Sequence, residues 1–210
     1  GAAQTSDAAT YTFEPDEVFS RTIWNPNAGS AIDLSNQTKN NVVDLRAGRK
    51  SSIAIRDPYA DTGMTAAAYA QRTALKSALG VPTYSGSGNL SIAAGSHFTV
   101  AVGGSGNDSF IANKEGDTVS GGAGYDRIFW TGGDLSADGG SGTDTLFVKK
   151  VSAAKWTLSD DHSTLNLVGK DSSTGEAKTL HTITLAGIEA VKLWDGVSTA
   201  GTGKKLYAIA

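Results

Sequence analysis

A nine-residue period runs without a gap from Gly103 to Phe147. Its five units read GGSGNDSFI, ANKEGDTVS, GGAGYDRIF, WTGGDLSAD and GGSGTDTLF. A fixed period constrains a fold more tightly than any composition, because every unit must find the same local structure and bury its apolar face on its neighbours. The first, third and fifth units carry glycine at positions one, two and four and aspartate at position six: Gly103, Gly104, Gly106 and Asp108; Gly121, Gly122, Gly124 and Asp126; Gly139, Gly140, Gly142 and Asp144. In the second and fourth units position six is Asp117 and Leu135. Position eight is apolar throughout: Phe110, Val119, Ile128, Ala137 and Leu146.

Each residue type has a physical reason. Glycine lets the chain turn tightly, take positive φ and aim carbonyl oxygens inward. Aspartate supplies a hard anionic oxygen of the kind calcium collects, typically about six to eight at roughly 2.3–2.6 Å. The apolar residue at position eight belongs on a short strand, pointing into a core between two sheets. One nonamer makes a loop and a strand, so two make a full turn, and units one, three and five stack on one side. The expectation is a parallel β-roll with calcium between consecutive loops, one ion between Asp108 and Asp126 and another between Asp126 and Asp144. A third ion is expected only if Asp117 and Asp134 cooperate on the other side, where unit four lacks the aspartate at position six.

The flanks read as short strands. Before the repeats come Tyr11–Phe13, Thr22–Trp24, Ala31–Leu34, Val42–Leu45, Ser52–Ile55, Leu90–Ile92 and His97–Val100, separated by Asn, Gly and Pro. After Val148, Trp156–Leu158, Thr164–Val168, His181–Leu185 and Ala190–Trp194 read as an antiparallel cap. Between Asp61 and Gly80 the chain is rich in alanine, with Met64, Ala68, Leu75 and Leu79 on one stripe, which predicts a surface helix over 62–79 ending at Gly80 and Pro82. The fold class expected is therefore all-β, a parallel β-roll of nonapeptide repeats with flanking β caps and one short surface helix. The divisions expected are an N-terminal β-rich cap at 1–102, the roll at 103–148 and a C-terminal antiparallel cap at 149–210.

Several function classes are disfavoured by the residues themselves. The formal charge is −3 with scattered basic residues, unlike the concentrated basic surface of a nucleic-acid binder. No stretch approaches the roughly 18 apolar residues of a spanning helix. With no cysteine there is neither disulfide nor thiolate chemistry. A zinc-protease HExxH motif is missing; His97, His162 and His181 stand apart and read as strand or loop residues. No GxSxG elbow is present either. No catalytic residue is assigned to this chain.

The nonamers resemble those of RTX (repeats-in-toxin) proteins, and the wider chain is similar to the C-terminal domain of serralysin-type secreted metalloproteases. The segments carrying that likeness are Thr22-Ile23-Trp24, Ile32-Asp33-Leu34-Ser35, Asp44 to Gly48, Ser51-Ser52-Ile53, Ser91 to Gly95, Gly103 to Asp108, and Leu185 to Glu189 with Leu193 to Gly196. The chain departs from the family's pattern at Asn25, Gly29 and Ser30, where an early calcium loop is expected to be missing, in an insertion from Asp57 to Gly86, and at Lys204 to Ala210. The resemblance implies calcium-triggered folding outside the cell, export by type I secretion machinery, and a secreted parent protein whose catalytic domain lies upstream of Gly1. The rival expectation is an extracellular adhesion or carbohydrate-binding module, with Phe129, Trp130, Phe147, Trp156 and Trp194 as an aromatic platform for a glycan or protein ligand.

Overall fold

A nonamer that spends five or six residues on a loop has three or four left for a strand, and stacking such strands at a fixed offset produces a parallel sheet. The computed structural model describes residues 7–15, 17–55, 85–194 and 205–208, with scattered positions between 65 and 78. From the N-terminus the strands are β1 (Thr10–Thr12), β2 (Arg21–Ile23), β3 (Ser30–Asp33), β4 (Val42–Asp44), β5 (Lys50–Ser51), β6 (Leu90–Ile92) and β7 (Phe98–Val102). The repeats contribute β8 (Ser109–Ile111), β9 (Asp117–Ser120), the short loop strand β10 (Ala123–Gly124), β11 (Arg127–Phe129), β12 (Leu135–Asp138), the second loop strand β13 (Ser141–Gly142) and β14 (Thr145–Lys149). Then come β15 (Lys155–Leu158), β16 (Thr164–Lys170), β17 (Ala177–Ala186), β18 (Ala190–Trp194) and β19 (Lys205–Ala208).

Successive nonamers alternate between two sheets. One has the order β1-β3-β7-β9-β12-β17-β16-β15, the other β19-β18-β14-β11-β8-β4. Within the repeats the register steps by two units: Phe110 pairs with Ile128 and Ile128 with Leu146, while Val119 pairs with Ala137. These position-eight side chains are all buried and meet in one core with Ile32, Val43, Ala101, Ile183 and Val191 from the neighbouring rungs. Burying a side chain of this size stabilises the fold by about 1.5–3 kcal/mol. The parallel β-roll and the all-β class expected from the period are what the chain forms.

Parallel pairing continues past both expected limits of the roll at 103 and 148. Below the repeats, β3 pairs with β7 and β4 with β8. Above them, β12 pairs with β17 and β14 with β18, again in parallel. Between β14 and β17 the chain leaves the stack for the antiparallel excursion β15-β16 and returns along the ten-residue β17. The separate β2-β6-β5 sheet lies at the N-terminal end.

Ser52–Ile55, expected as a strand, is not one. Ser52 makes only an isolated bridge to Val42. The Ile53 amide donates to Asn89 Oδ1 at 2.8 Å and the Ala54 amide to Asn41 Oδ1 at 2.7 Å, with Ala54 at φ 53°. Side-chain amides thus take the donors a ladder would have used. Of the helix expected over 62–79, the described positions Ala67, Ala68, Ala70, Gln71, Ala74 and Ala78 are helical and exposed. Met64, Leu75 and Leu79 lie outside the described residues.

Candidate functional site

The loops that precede the strands of the second sheet stack directly on one another. Ala123 donates to the Gly104 carbonyl and Ser141 to the Gly122 carbonyl, each at 2.8 Å, and β10 pairs in parallel with β13. This stacking brings the position-six aspartates into a ladder. The amide of Asp108 donates to Asp126 Oδ1 at 2.7 Å, and the amide of Asp126 donates to Asp144 Oδ1 at 2.7 Å. The same bond continues at both ends through residues outside the repeats. Asn41 donates from its amide to Asp108 Oδ1 at 2.7 Å, and Asp144 donates from its amide to Glu189 Oε2 at 2.6 Å. The ladder therefore reads Asn41, Asp108, Asp126, Asp144, Glu189.

All three ladder aspartates are buried. Both oxygens of Asp108 accept hydrogen bonds: Oδ1 also accepts from Asn41 Nδ2 at 2.9 Å, and Oδ2 accepts from the Gly104 amide at 3.1 Å. Asp126 Oδ2 and Asp144 Oδ2 are buried with no hydrogen-bond partner. An ionised oxygen in that position is costly unless something positive meets it. The Oδ2 atoms of all three aspartates also face a carbonyl of the next loop. A Cβ on Gly121 would strike Asp126 Oδ2 and lie 2.5 Å from the Gly139 carbonyl oxygen; one on Gly103 would strike the Gly121 carbonyl and lie 2.7 Å from Asp108 Oδ2. Carboxylate and carbonyl oxygens converging on one spot form the donor set of a hard divalent cation. The residues present fit such an ion.

The role of the glycines differs in part from the expectation. Gly103, Gly104, Gly106, Gly121 and Gly139 do not have positive φ; positions two and four of the third and fifth units do, as at Gly124 (φ 131°) and Gly142 (φ 141°). At position one the requirement is close approach of the neighbouring loop, which a side chain would block.

Burial is the first cause of the carboxyl shifts here, as it disfavours the charged form. It raises the Asp126 carboxyl to about 7, with the charges of Asp108 and Asp144 adding to the rise and the Asp108 amide opposing it. Asp108 is raised by burial against the hydrogen bonds from Gly104 and Asn41. Asp144 is raised by burial, with Glu189 and Asp138 adding.

The other side of the roll is different. Asp117 Oδ2 accepts from the Asn113 amide at 2.6 Å, Oδ1 is buried without a partner, and burial raises the carboxyl to about 7. Asp134 lines the same surface pocket as Asp117, with its side chain 72% exposed and its Oδ1 accepting from the Thr182 amide at 2.9 Å. Leu135, at position six, packs into the core instead. At the early loop the polar groups satisfy one another, with Asn25 Oδ1 accepting from the Asn27 amide, Ser30 Oγ donating to the Asn27 carbonyl, and the Gly29 amide donating to Thr99 Oγ1.

The aromatic platform does not form from the residues expected. Phe129, Trp130, Phe147 and Trp156 are buried. Phe129 stacks on Phe147 at 4.7 Å between centroids, and Trp130 meets Trp156 edge-on at 4.9 Å. The side chain of Trp194 lies outside the described residues. His97 sits 2.8 Å from Glu115, and His181 3.7 Å from Asp134. Among the described residues no three or more His, Asp or Glu side chains gather as a metal cluster, so an ion in the ladder must draw on backbone oxygens.

Asn41 and Glu189 were missed in the sequence because they lie outside the nine-residue period. A weaker signal was there: each stands two residues before a core apolar residue, Val43 or Val191, as Asp144 stands before Leu146.

A family model described as Peptidase M10 serralysin C terminal matches residues 68–198, more than half of the chain. That span includes all five nonamers, the antiparallel excursion and Glu189. No curated protein matches the chain.

Proposed function

The chain belongs to the Peptidase M10 serralysin C-terminal family, and from that premise we propose that it is a calcium-dependent folding module of a secreted protein. The observation that carries this reading is the pair of buried, unpartnered oxygens, Asp126 Oδ2 and Asp144 Oδ2, repeated at the spacing of the rungs. Calcium would be held by Asp108, Asp126 and Asp144 together with carbonyls of the glycine loops Gly103–Gly106, Gly121–Gly124 and Gly139–Gly142. It would supply the positive charge that lets these carboxylates stay ionised in the folded state.

At sub-micromolar cytosolic calcium the stacked carboxylates repel one another and the glycine-rich loops lose much conformational entropy on ordering. The roll is then unfolded and suited to passage through type I secretion machinery. At extracellular calcium each filled site adds about 2.7 kcal/mol when the ion stands 100-fold above its dissociation constant. Two such sites are comparable with the whole stability of many domains. The chain's contribution is folding and stability, with catalysis by a zinc metallopeptidase carried elsewhere in the parent protein. On the opposite side Asp117 offers one unpartnered oxygen against two in the ladder, so the ladder is the principal site.

Far-UV circular dichroism across a calcium titration tests this. The expected result is a disordered spectrum in chelator that converts to β structure as calcium rises, with binding heat over the same range. Full β structure in excess chelator overturns the reading.

A further inference from the structure

The ladder does not stop at the last repeat. Asp144 is its final nonapeptide aspartate, yet Asp144 Oδ2 is buried without a partner, in the same condition as Asp126 Oδ2. What lies beyond it repeats the arrangement between the complete units. A Cβ on Gly139 would strike the Gly187 carbonyl oxygen and lie 2.6 Å from Asp144 Oδ2, just as one on Gly121 meets the Gly139 carbonyl and Asp126 Oδ2. Gly187 therefore takes the place of position one of a following unit, as the neighbouring pairing of Asp138 with Ala186 requires. Glu189 takes the place of position six: it precedes Ala190, the partner of Thr145, and its Oε2 accepts the Asp144 amide at 2.6 Å. The amides of Glu189 and Ala190 return the bond to the Asp144 carbonyl, each at 3.2 Å. From Gly187 to Glu189 the turn has three residues where a repeat loop has six, from Gly139 to Asp144. Glutamate, one methylene longer than aspartate, supplies the reach that the shortened turn removes.

We infer that Glu189 closes an additional calcium site, between the 139–144 loop and the 187–189 turn, formed with Asp144 and the Gly187 carbonyl. The count of ions along this side is then one greater than the intervals between complete repeats, and the antiparallel excursion β15-β16 becomes an insertion within an ion ladder. At the opposite end the ladder closes without an ion, because Asn41 is neutral and both its backbone and its side-chain amide donate to Asp108 Oδ1. The inference rests on the calcium reading above.

The test is calcium stoichiometry by native mass spectrometry and isothermal titration on the full chain, for wild type, Glu189→Gln and Glu189→Asp. Gln keeps an acceptor for the Asp144 amide and removes only the charge. The expected result is one ion fewer for Glu189→Gln, or one site weakened roughly tenfold or more, with the β spectrum at saturating calcium retained. Should the Gln variant fail to fold, Glu189→Asp decides, since it keeps the charge and shortens the reach: one weakened site in an otherwise loaded roll supports the assignment. Wild-type ion count and affinities in the variant that folds overturn the assignment of Glu189. A wild-type chain that binds no calcium overturns the calcium reading itself, a separate outcome.

Discussion

The amide of Asp126 donates to Asp144 Oδ1 at 2.7 Å, while the second oxygen of Asp144 is buried without any partner. In Asp126 and Asp144 one carboxylate oxygen is spent on aligning the loops and the other is left over. The ladder thus has a fixed geometry and an unmet charge, which is the condition for folding coupled to ion binding.

Asp126 stands between two inter-loop spaces, so Asp126→Asn has opposite effects in the two states. In saturating calcium, stability falls by about 2.7 kcal/mol for each site lost. In chelator the variant shows as much β structure as the wild type or more, because a buried charge between Asp108 and Asp144 has gone. Thermal melts followed by circular dichroism, with and without chelator, check both signs. A loss in both states would mean ordinary core damage.

The pH dependence in chelator follows from Asp117 and Asp126, whose folded carboxyls are raised by burial to about 7 from an ordinary 3.8. The folded state therefore holds these protons more tightly than the unfolded chain. The penalty is absent below pH 3.8, grows between pH 4 and 7, and is complete above 7. β structure in chelator is expected to increase as pH is lowered through that window. In calcium the trend reverses, since protons compete with the ion for the same oxygens. A chelated chain whose spectrum does not respond over this window contradicts the assignment.

Two glycines separate close approach from backbone conformation. Gly121→Ala would drive a Cβ into Asp126 Oδ2 and the Gly139 carbonyl. It is expected to cost about 1–3 kcal/mol or more, in the range of overpacking, and to weaken calcium binding. Gly48→Ala meets nothing within 4 Å and suffers only from its φ of +78°, a cost of about 1 kcal/mol with calcium affinity unchanged. Urea titrations in saturating calcium and calorimetric binding distinguish them.

Asn41 pins the front of the ladder: its side chain donates to Asp108 Oδ1 and to the Lys39 carbonyl, each at 2.9 Å, and accepts the Ala54 amide. Asn41→Ala removes a buried hydrogen bond to a carboxylate, worth about 1.5–3 kcal/mol. The urea midpoint in saturating calcium is expected to fall accordingly while the Asp144 end of the ladder keeps its ions.

Most of the roll was legible in the residues because its information is local and periodic. A nine-residue repeat states where each loop, strand and core side chain goes, and Phe110, Ile128 and Leu146 pair in the register that the period requires. Asp108, Asp126 and Asp144 likewise come together as their spacing predicts. What lay outside that period was decided by tertiary contacts. Asn41 reaches Asp108 across 67 residues and Glu189 reaches Asp144 across 45, with other structure inserted between them, so no spacing links these pairs. Leu135 fills the core at a position six, Asp134 has its side chain 72% exposed, and Phe129, Trp130, Phe147 and Trp156 are buried by packing and do not form the platform of the rival reading. Periodicity encodes what each unit does to its neighbour; where the stack begins and ends, and which oxygens remain without a partner, depends on contacts that form only when the chain is folded.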